Sequence, residues 1–246
     1  MYKINYNKEI QYFNKNGWVV LKNIFIKNEI SKIKKIISNF LIKHISKKSF
    51  STRGINFISE KVDYKNINSF HELSKSKQIN KIAKSKKVFS IAKKFLNSDA
   101  EFRCCELFAK PAKKGLPSPA HQDNFYWGIK GSNALTIWVA LDKSNKKNGS
   151  IFYFDGSHKY GVLDHKPSYA KGSSQTIKNV KFLKKFSKSQ PELNPGDILV
   201  HHSLVVHGSS KNISNQDRIG LAISFKTKSA KINKEKLIEY KKKLKK

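Results

Sequence analysis

The sequence predicts a mainly β protein, an antiparallel barrel or jelly roll with helices packed outside it. Three observations carry that reading. From Glu101 onward, short runs of strand-forming residues recur at Glu101–Lys110, Ala134–Leu141, Ser150–Phe154, Asp197–His207 and Arg218–Lys226. Turn-rich segments separate them, at Pro111–Pro119, Lys143–Gly149, Asp155–Gly161 and Ser209–Gln216. Ahead of Glu101 the periodicity is mainly helical, and the character of the chain changes there.

Taken in order, Gly17 precedes Trp18-Val19-Val20-Leu21, a short apolar run that predicts a strand. Ile30, Ile33, Ile36, Ile37, Phe40 and Leu41 then recur three and four residues apart, the pattern of an amphipathic helix with Lys on its outer face. Residues 47–68 lack a clear period and read as a loop or an irregular strand. A second helix is predicted from Ile79 to Leu96, with Ile82, Val88, Phe89, Ala92 and Phe95 turned inward. The tail from Lys231 to Lys246 carries Leu237, Ile238 and Leu244 among many Lys and reads as a peripheral helix or a frayed end. At 246 residues the chain suits one domain over 1–246. Within it, 1–100 is the helix-rich N-terminal part, 101–228 the jelly-roll core and 229–246 a basic tail.

Hydrophobic residues make up 38% of the chain, enough for a core and against global disorder. No run approaches the roughly 18 apolar residues of a membrane span, and the first ten residues hold no apolar segment of a signal peptide. Cys104 and Cys105 are neighbours on an expected strand and point to opposite faces, which makes a poor disulfide and no metal spacing. A reducing, cytoplasmic compartment fits. The net charge of +33 raises nucleic acid or an anionic surface as partner. Yet all but Arg53, Arg103 and Arg218 of the 50 basic residues are Lys, whereas specific nucleic-acid readers lean on Arg. Ile, Asn and Ser are abundant too, the drift an AT-rich genome produces, so a solvated Lys surface is the simpler reading and specific nucleic-acid binding is not expected.

The chemistry gathers at His121-Gln122-Asp123, just after the Pro-rich turn and ahead of Phe125-Tyr126-Trp127. In an extended segment residues two apart point the same way, so an imidazole and a carboxylate converge on one point. His207, from a distant strand, could complete a 2-His-1-carboxylate facial triad, which leaves three positions of an octahedral iron(II) open. Arg218 opens the last strand and could pair bidentately with a dicarboxylate. Singly, each has a plainer reading: His207 as a core histidine, Arg218 as a salt bridge to Asp217 or Asp197. The weight lies in all four falling on successive strands of one barrel. Phe125, Tyr126 and Trp127 read equally as substrate wall or as core. For His158, His201 and His202 a structural role is favoured over a substrate contact.

Pro119-Ala120-His121-Gln122-Asp123, Leu135 through Asp142, Asn148-Gly149-Ser150, Gly156-Ser157-His158-Lys159, Pro195-Gly196-Asp197-Ile198-Leu199 and His202 through Ser209 together resemble the phytanoyl-CoA dioxygenase family, in its order and spacing. Gly17 through Leu21 resembles the family's opening. The resemblance implies a double-stranded β-helix (cupin-like jelly roll) that holds Fe(II) through His121, Asp123 and His207 as metal and catalytic residues. It implies 2-oxoglutarate as co-substrate, O₂ as oxidant, and Arg218 on the distal carboxylate of 2-oxoglutarate. Trp138 matches the tryptophan lining the co-substrate pocket, Glu106 falls where the family places a residue near 2-oxoglutarate, and Ser209 is expected to touch its carboxylate. Lys61 is the nearest match to an N-terminal lysine that contacts the co-substrate in some members and is left unassigned. Asp155 stands where the family usually has Pro, which concerns a loop and not the metal. The presence of Asp123 argues for oxygenation over halogenation, since related halogenating enzymes carry a small residue there.

The expected function is hydroxylation of a small molecule, with release of succinate and CO₂; the basic surface points to an anionic one. The alternatives are a basic nucleic-acid-binding module, a non-catalytic protein on the same barrel, and a zinc hydrolase using the same three ligands.

Overall fold

A left-handed glycine marks the entry into the fold. The computed structural model describes residues 6–47, 54–131, 133–170, 173–235 and 238. Helix α1 (Asn7–Asn16) stops at Gly17, whose φ of +83° lets its N–H reach back to Phe13 O. Strand β1 (Trp18–Leu21) follows at once, then helix α2 (Lys27–Ile45), which buries Ile30, Ile33, Ile37 and Leu41 as its period predicts. Strands β2 (Ile55–Phe57) and β3 (Ile67–Phe70) lie at and just beyond the aperiodic stretch. Helices α3 (Lys77–Ala83) and α4 (Lys86–Leu96) occupy the second helical region. Next come β4 (Ala100–Lys110), β5 (Ser118–His121), the short helix α5 (Asp123–Trp127), β6 (Ala134–Ala140) and β7 (Ile151–Phe154). The chain continues through β8 (His165–Ala170), β9 (Ser173–Ile177), β10 (Lys188–Ser189), β11 (Ile198–His202), β12 (His207–Ser209) and β13 (Arg218–Thr227).

Antiparallel pairing assembles a large sheet in the order β1-β11-β6-β13-β4-β3-β2 and a smaller one in the order β10-β7-β12-β5, with β8 and β9 forming a separate hairpin. This is the jelly roll. Alternation along the central strands gives the large sheet two different faces. Leu135, Ile137 and Val139 of β6, Ile198 and Val200 of β11, and Leu221, Ile223 and Phe225 of β13 turn outward. There they pack with Ile30, Ile33, Val88 and Phe95 of the helices. Trp138, Leu199 and Ala222 turn inward and pack with Ile151 and Tyr153 of the small sheet. Cys104 and Cys105 obey the same rule: Cys105 joins the outer core, Cys104 meets Ser224, and both are free thiols.

The strand expected at Trp18–Leu21 pairs with β11, and β2 and β3 extend the far edge of the same sheet. Three sequence expectations need correction. Helix α1 precedes β1 where no helix was expected. The single helix Ile79–Leu96 is two, since extended Ser85 caps α4 with its hydroxyl at Val88 N–H. The single strand Asp197–His207 is also two, on opposite sheets. His202 Nδ1 accepts the Leu204 N–H and turns the chain, while Leu204, Val205 and Val206 are buried in the crossing and so mimic a strand. Most of the expectation for the tail, Leu237 and Leu244 included, lies outside the described residues. No helix among the described residues is long and apolar enough to cross a membrane.

Candidate metal centre

His121 closes β5, and Gln122 continues extended before Asp123 opens α5, so the side chains of 121 and 123 share a side. Gln122 points the other way, fully buried, and donates to the carbonyls of Gly161 and Leu204 while accepting from Leu163 N–H. That anchors the hinge between the two candidate ligands. Pairing of β12 with β5 sets His207 directly opposite His121. One nitrogen or oxygen from each of His121, Asp123 and His207 lies within 4.8 Å of the other two, a spacing that can hold a metal ion.

The imidazoles are oriented for that task. His121 Nδ1 donates to Pro119 O at 2.7 Å and His207 Nδ1 to Val205 O at 3.1 Å, which turns both Nε2 atoms toward Asp123. Burial, aided by His121, lowers the His207 pKa to about 3, so its ring is neutral at physiological pH. Burial alone would raise the Asp123 carboxyl, but the three imidazoles around it and the hydrogen bond from His201 outweigh this and hold it below the usual carboxylate range. Neutral imidazoles and an ionised carboxylate are the protonation states a divalent metal requires.

Beside this cluster opens a cavity of about 780 Å³. Arg218 reaches into it from the start of β13, only 2% exposed. Its Nη2 donates to Gly149 O at 2.8 Å, and its guanidinium lies 5.3 Å from the Trp138 ring centroid. Its Nε is buried with no hydrogen-bond partner. Burial lowers its pKa to about 10, which still leaves it charged at neutral pH. Neither aspartate considered from sequence pairs with it: Asp217 accepts from Ala112 N–H, and Asp197 binds Lys22 and the amides of Asn23 and Asn194. A buried guanidinium facing a cavity with an orphaned N–H fits a carboxylate ligand.

Trp138, Ser209 and Glu106 line the same cavity, so the three expected metal ligands, Arg218 and these three residues are brought together. Glu106 is engaged by His71, whose Nδ1 stands 2.6 Å from its Oε1. Lys61 is exposed and does not line this cavity. The aromatic run divides: Tyr126 and Trp127 line the cavity, while Phe125 stacks on His165 with centroids 4.1 Å apart. His158 and His202 pack against each other and do not line the cavity. Asp155 accepts from Trp18 Nε1 and Ser189 Oγ, tying β1 and β10 to the end of β7.

His201, Tyr153 and Lys110 are among the residues at the site that were not singled out from sequence as part of it. His201, on the inner face of β11, contacts Asp123, and Tyr153 contacts His201. Lys110, 4% exposed, donates to Leu116 O beside Arg218, and burial followed by Arg218 repulsion lowers its pKa to about 6. His201 and His207 lie on different strands of opposite sheets, so spacing gave no signal for His201, and nothing distinguished Lys110 from the other lysines.

Comparison with known proteins agrees with the geometry. A probable alpha-ketoglutarate-dependent hypophosphite dioxygenase of Stutzerimonas stutzeri is 27% identical over 150 residues, 60% of this chain and 52% of that protein. The peroxisomal phytanoyl-CoA dioxygenase of Bos taurus is 21% identical over 228 residues, 87% of this chain and 66% of that protein. The chain thus spans between half and two thirds of the length of these relatives. The crystal structure of EctD from S. alaskensis in its apoform superposes with a TM-score of 0.76 at 21% identity, over 93% of this chain and 79% of that one, and shares the fold. The profile of phytanoyl-CoA dioxygenase (PhyH) matches residues 13–220, and the chain belongs to that family.

Proposed function

We propose that this protein is an Fe(II)- and 2-oxoglutarate-dependent dioxygenase that hydroxylates a small-molecule substrate. The observation that carries the reading is the buried Arg218, its Nε without a hydrogen-bond partner, in the same cavity as the His121, Asp123 and His207 cluster. A metal centre alone would suit several chemistries, zinc hydrolysis among them. An anchor for a distal carboxylate in the same cavity suits a dicarboxylate co-substrate bound alongside the metal.

His121, Asp123 and His207 would hold Fe(II), and Arg218 would pair with the distal carboxylate of 2-oxoglutarate, with Trp138 walling the pocket and Ser209 as a further contact. When bound, the metal and co-substrate would supply O₂ activation coupled to conversion of 2-oxoglutarate to succinate and CO₂, with one oxygen atom going to succinate and the other to the substrate. The chain's own contribution is orientation and exclusion of water. Pro119 O and Val205 O fix the two imidazoles, and Thr136 and His201 fix the carboxylate. The β8–β9 hairpin packs over the cavity, held by Tyr126 at Gln175 N–H and by Thr176 at Ala120 O.

Protein loaded with Fe(II) should release succinate from 2-oxoglutarate under air, slowly and without added substrate, and Asp123→Ala should abolish it. Succinate release that is unchanged in Asp123→Ala would refute the assignment.

A further inference from the structure

The cavity extends from the metal centre across the inner face of β4 to the edge formed by β3 and β2, where Asn56, Asn68, His71, Glu106 and Phe108 line it. This wall is rich in acceptors. Asn56 Nδ2, which can only donate, stands 2.8 Å from Ser69 Oγ and 3.3 Å from His71 Nε2. His71 Nδ1 stands 2.6 Å from Glu106 Oε1 and fixes that carboxylate on the wall. Asn68 Oδ1, on the same wall, is buried without a hydrogen-bond partner.

Among the described residues, the charged side chains lining the cavity are Glu106, Lys110, Asp123 and Arg218. Lys110 is turned into the backbone at Leu116 O, and its burial favours the neutral amine. Fe(II) with Asp123, and a dianionic 2-oxoglutarate with Arg218, would leave no net charge between them. Glu106 is then the lining carboxylate that neither the metal nor the co-substrate would engage, in a confined space where a cationic partner is favourable. The basic exterior points to the opposite substrate sign. Surface charge is screened over about 8 Å at physiological salt, however, so the lining of the cavity decides what is held there.

On the oxygenase reading above, we propose that Glu106, held in place by His71, selects a substrate bearing a protonated amine, whose ammonium it binds at the β3–β4 wall of the cavity. Asn56 and Asn68 add hydrogen-bond acceptors beside it.

The test uses the full chain loaded anaerobically with Fe(II) and 2-oxoglutarate, and three probes on one skeleton: pentylamine, pentanol and pentanoate. The readout is the perturbation of the visible charge-transfer band of the iron–2-oxoglutarate chelate. Pentylamine should act at a concentration about tenfold or more below the other two, the size of one charge-assisted hydrogen bond. Glu106→Gln should erase that preference, and Glu106→Lys should turn it toward pentanoate. Each variant is judged on its own ratio of probes, which a general loss of structure would not invert. If no band forms in the wild type, the oxygenase reading fails first. If the band forms but responds to pentanoate at least as well as to pentylamine, or to no probe, or if Glu106→Gln keeps the preference, the substrate proposal alone is overturned.

Discussion

His201 Nε2 lies 3.2 Å from Asp123 Oδ2 and decides which oxygen of that carboxylate faces the other imidazoles. Burial keeps the Tyr153 phenol protonated, so its hydroxyl donates to His201 Nδ1 at 2.9 Å and leaves the ring proton on Nε2. Thr136 Oγ1 donates to the same Oδ2 at 2.9 Å. Oδ1 is thereby left facing His207 at 3.6 Å and His121 at 3.9 Å. Loss of such an orienting partner typically weakens a metal site about 10- to 100-fold. His201→Ala should therefore weaken Fe(II) binding by that order in an anaerobic titration, with Tyr153→Phe giving a smaller loss. Unchanged affinity in His201→Ala would mean that Asp123 needs no such support.

Arg218 is expected to govern the co-substrate and not the metal. Arg218→Ala should weaken 2-oxoglutarate binding by about a hundredfold, the worth of a charge-assisted bidentate pair, while Fe(II) affinity stays as in the wild type. Arg218→Lys should restore little, because an ammonium cannot reproduce the planar fork. Calorimetric titration of both ligands separates the two effects.

Gly220 on β13 makes room for the Trp138 indole: a Cβ there would stand 1.8 Å from Trp138 Cζ2. The ring that carries the guanidinium of Arg218 on its face would have to move. Gly220→Ala should cost roughly 1–3 kcal/mol of stability, as overpacking does, and should raise the 2-oxoglutarate concentration needed for half saturation. Denaturant unfolding and ligand titration check the pair of effects.

Lys110 gives the apo-protein a pH signature. Its pKa falls from 10.5 to about 6 on folding, through burial first and Arg218 second. Between those values the unfolded chain binds the extra proton, so this group makes stability rise with pH, by at most about 1.4 kcal/mol per pH unit. Lys110→Met should flatten the wild-type slope between pH 6 and 10 in unfolding experiments. Equal slopes in the two proteins would show that Lys110 stays charged.

The parts of the site legible in the sequence are those set by local period. His121 and Asp123 converge because extended residues two apart share a side, and Arg218 reaches the cavity because it opens an inward-facing strand. His201 and Tyr153 matter only because β11 lies beside β6 and β7 faces them from the other sheet, relations that strand order creates and spacing does not. The partner of Glu106 was hidden for a similar reason, since His71 follows β3, a short strand in a region without clear period. The broken strand at Ser203–Val206 escaped because burial in a crossover leaves the same apolar signature as burial in a sheet.

The most direct test of the central claim is an anaerobic titration of the apo-protein with Fe(II) and 2-oxoglutarate, followed through the visible charge-transfer band of the chelate. The wild type should develop the band with both ligands present, and Asp123→Ala should not. A wild type that shows no band, or a variant that keeps it, would contradict the assignment of His121, Asp123 and His207 as an iron site.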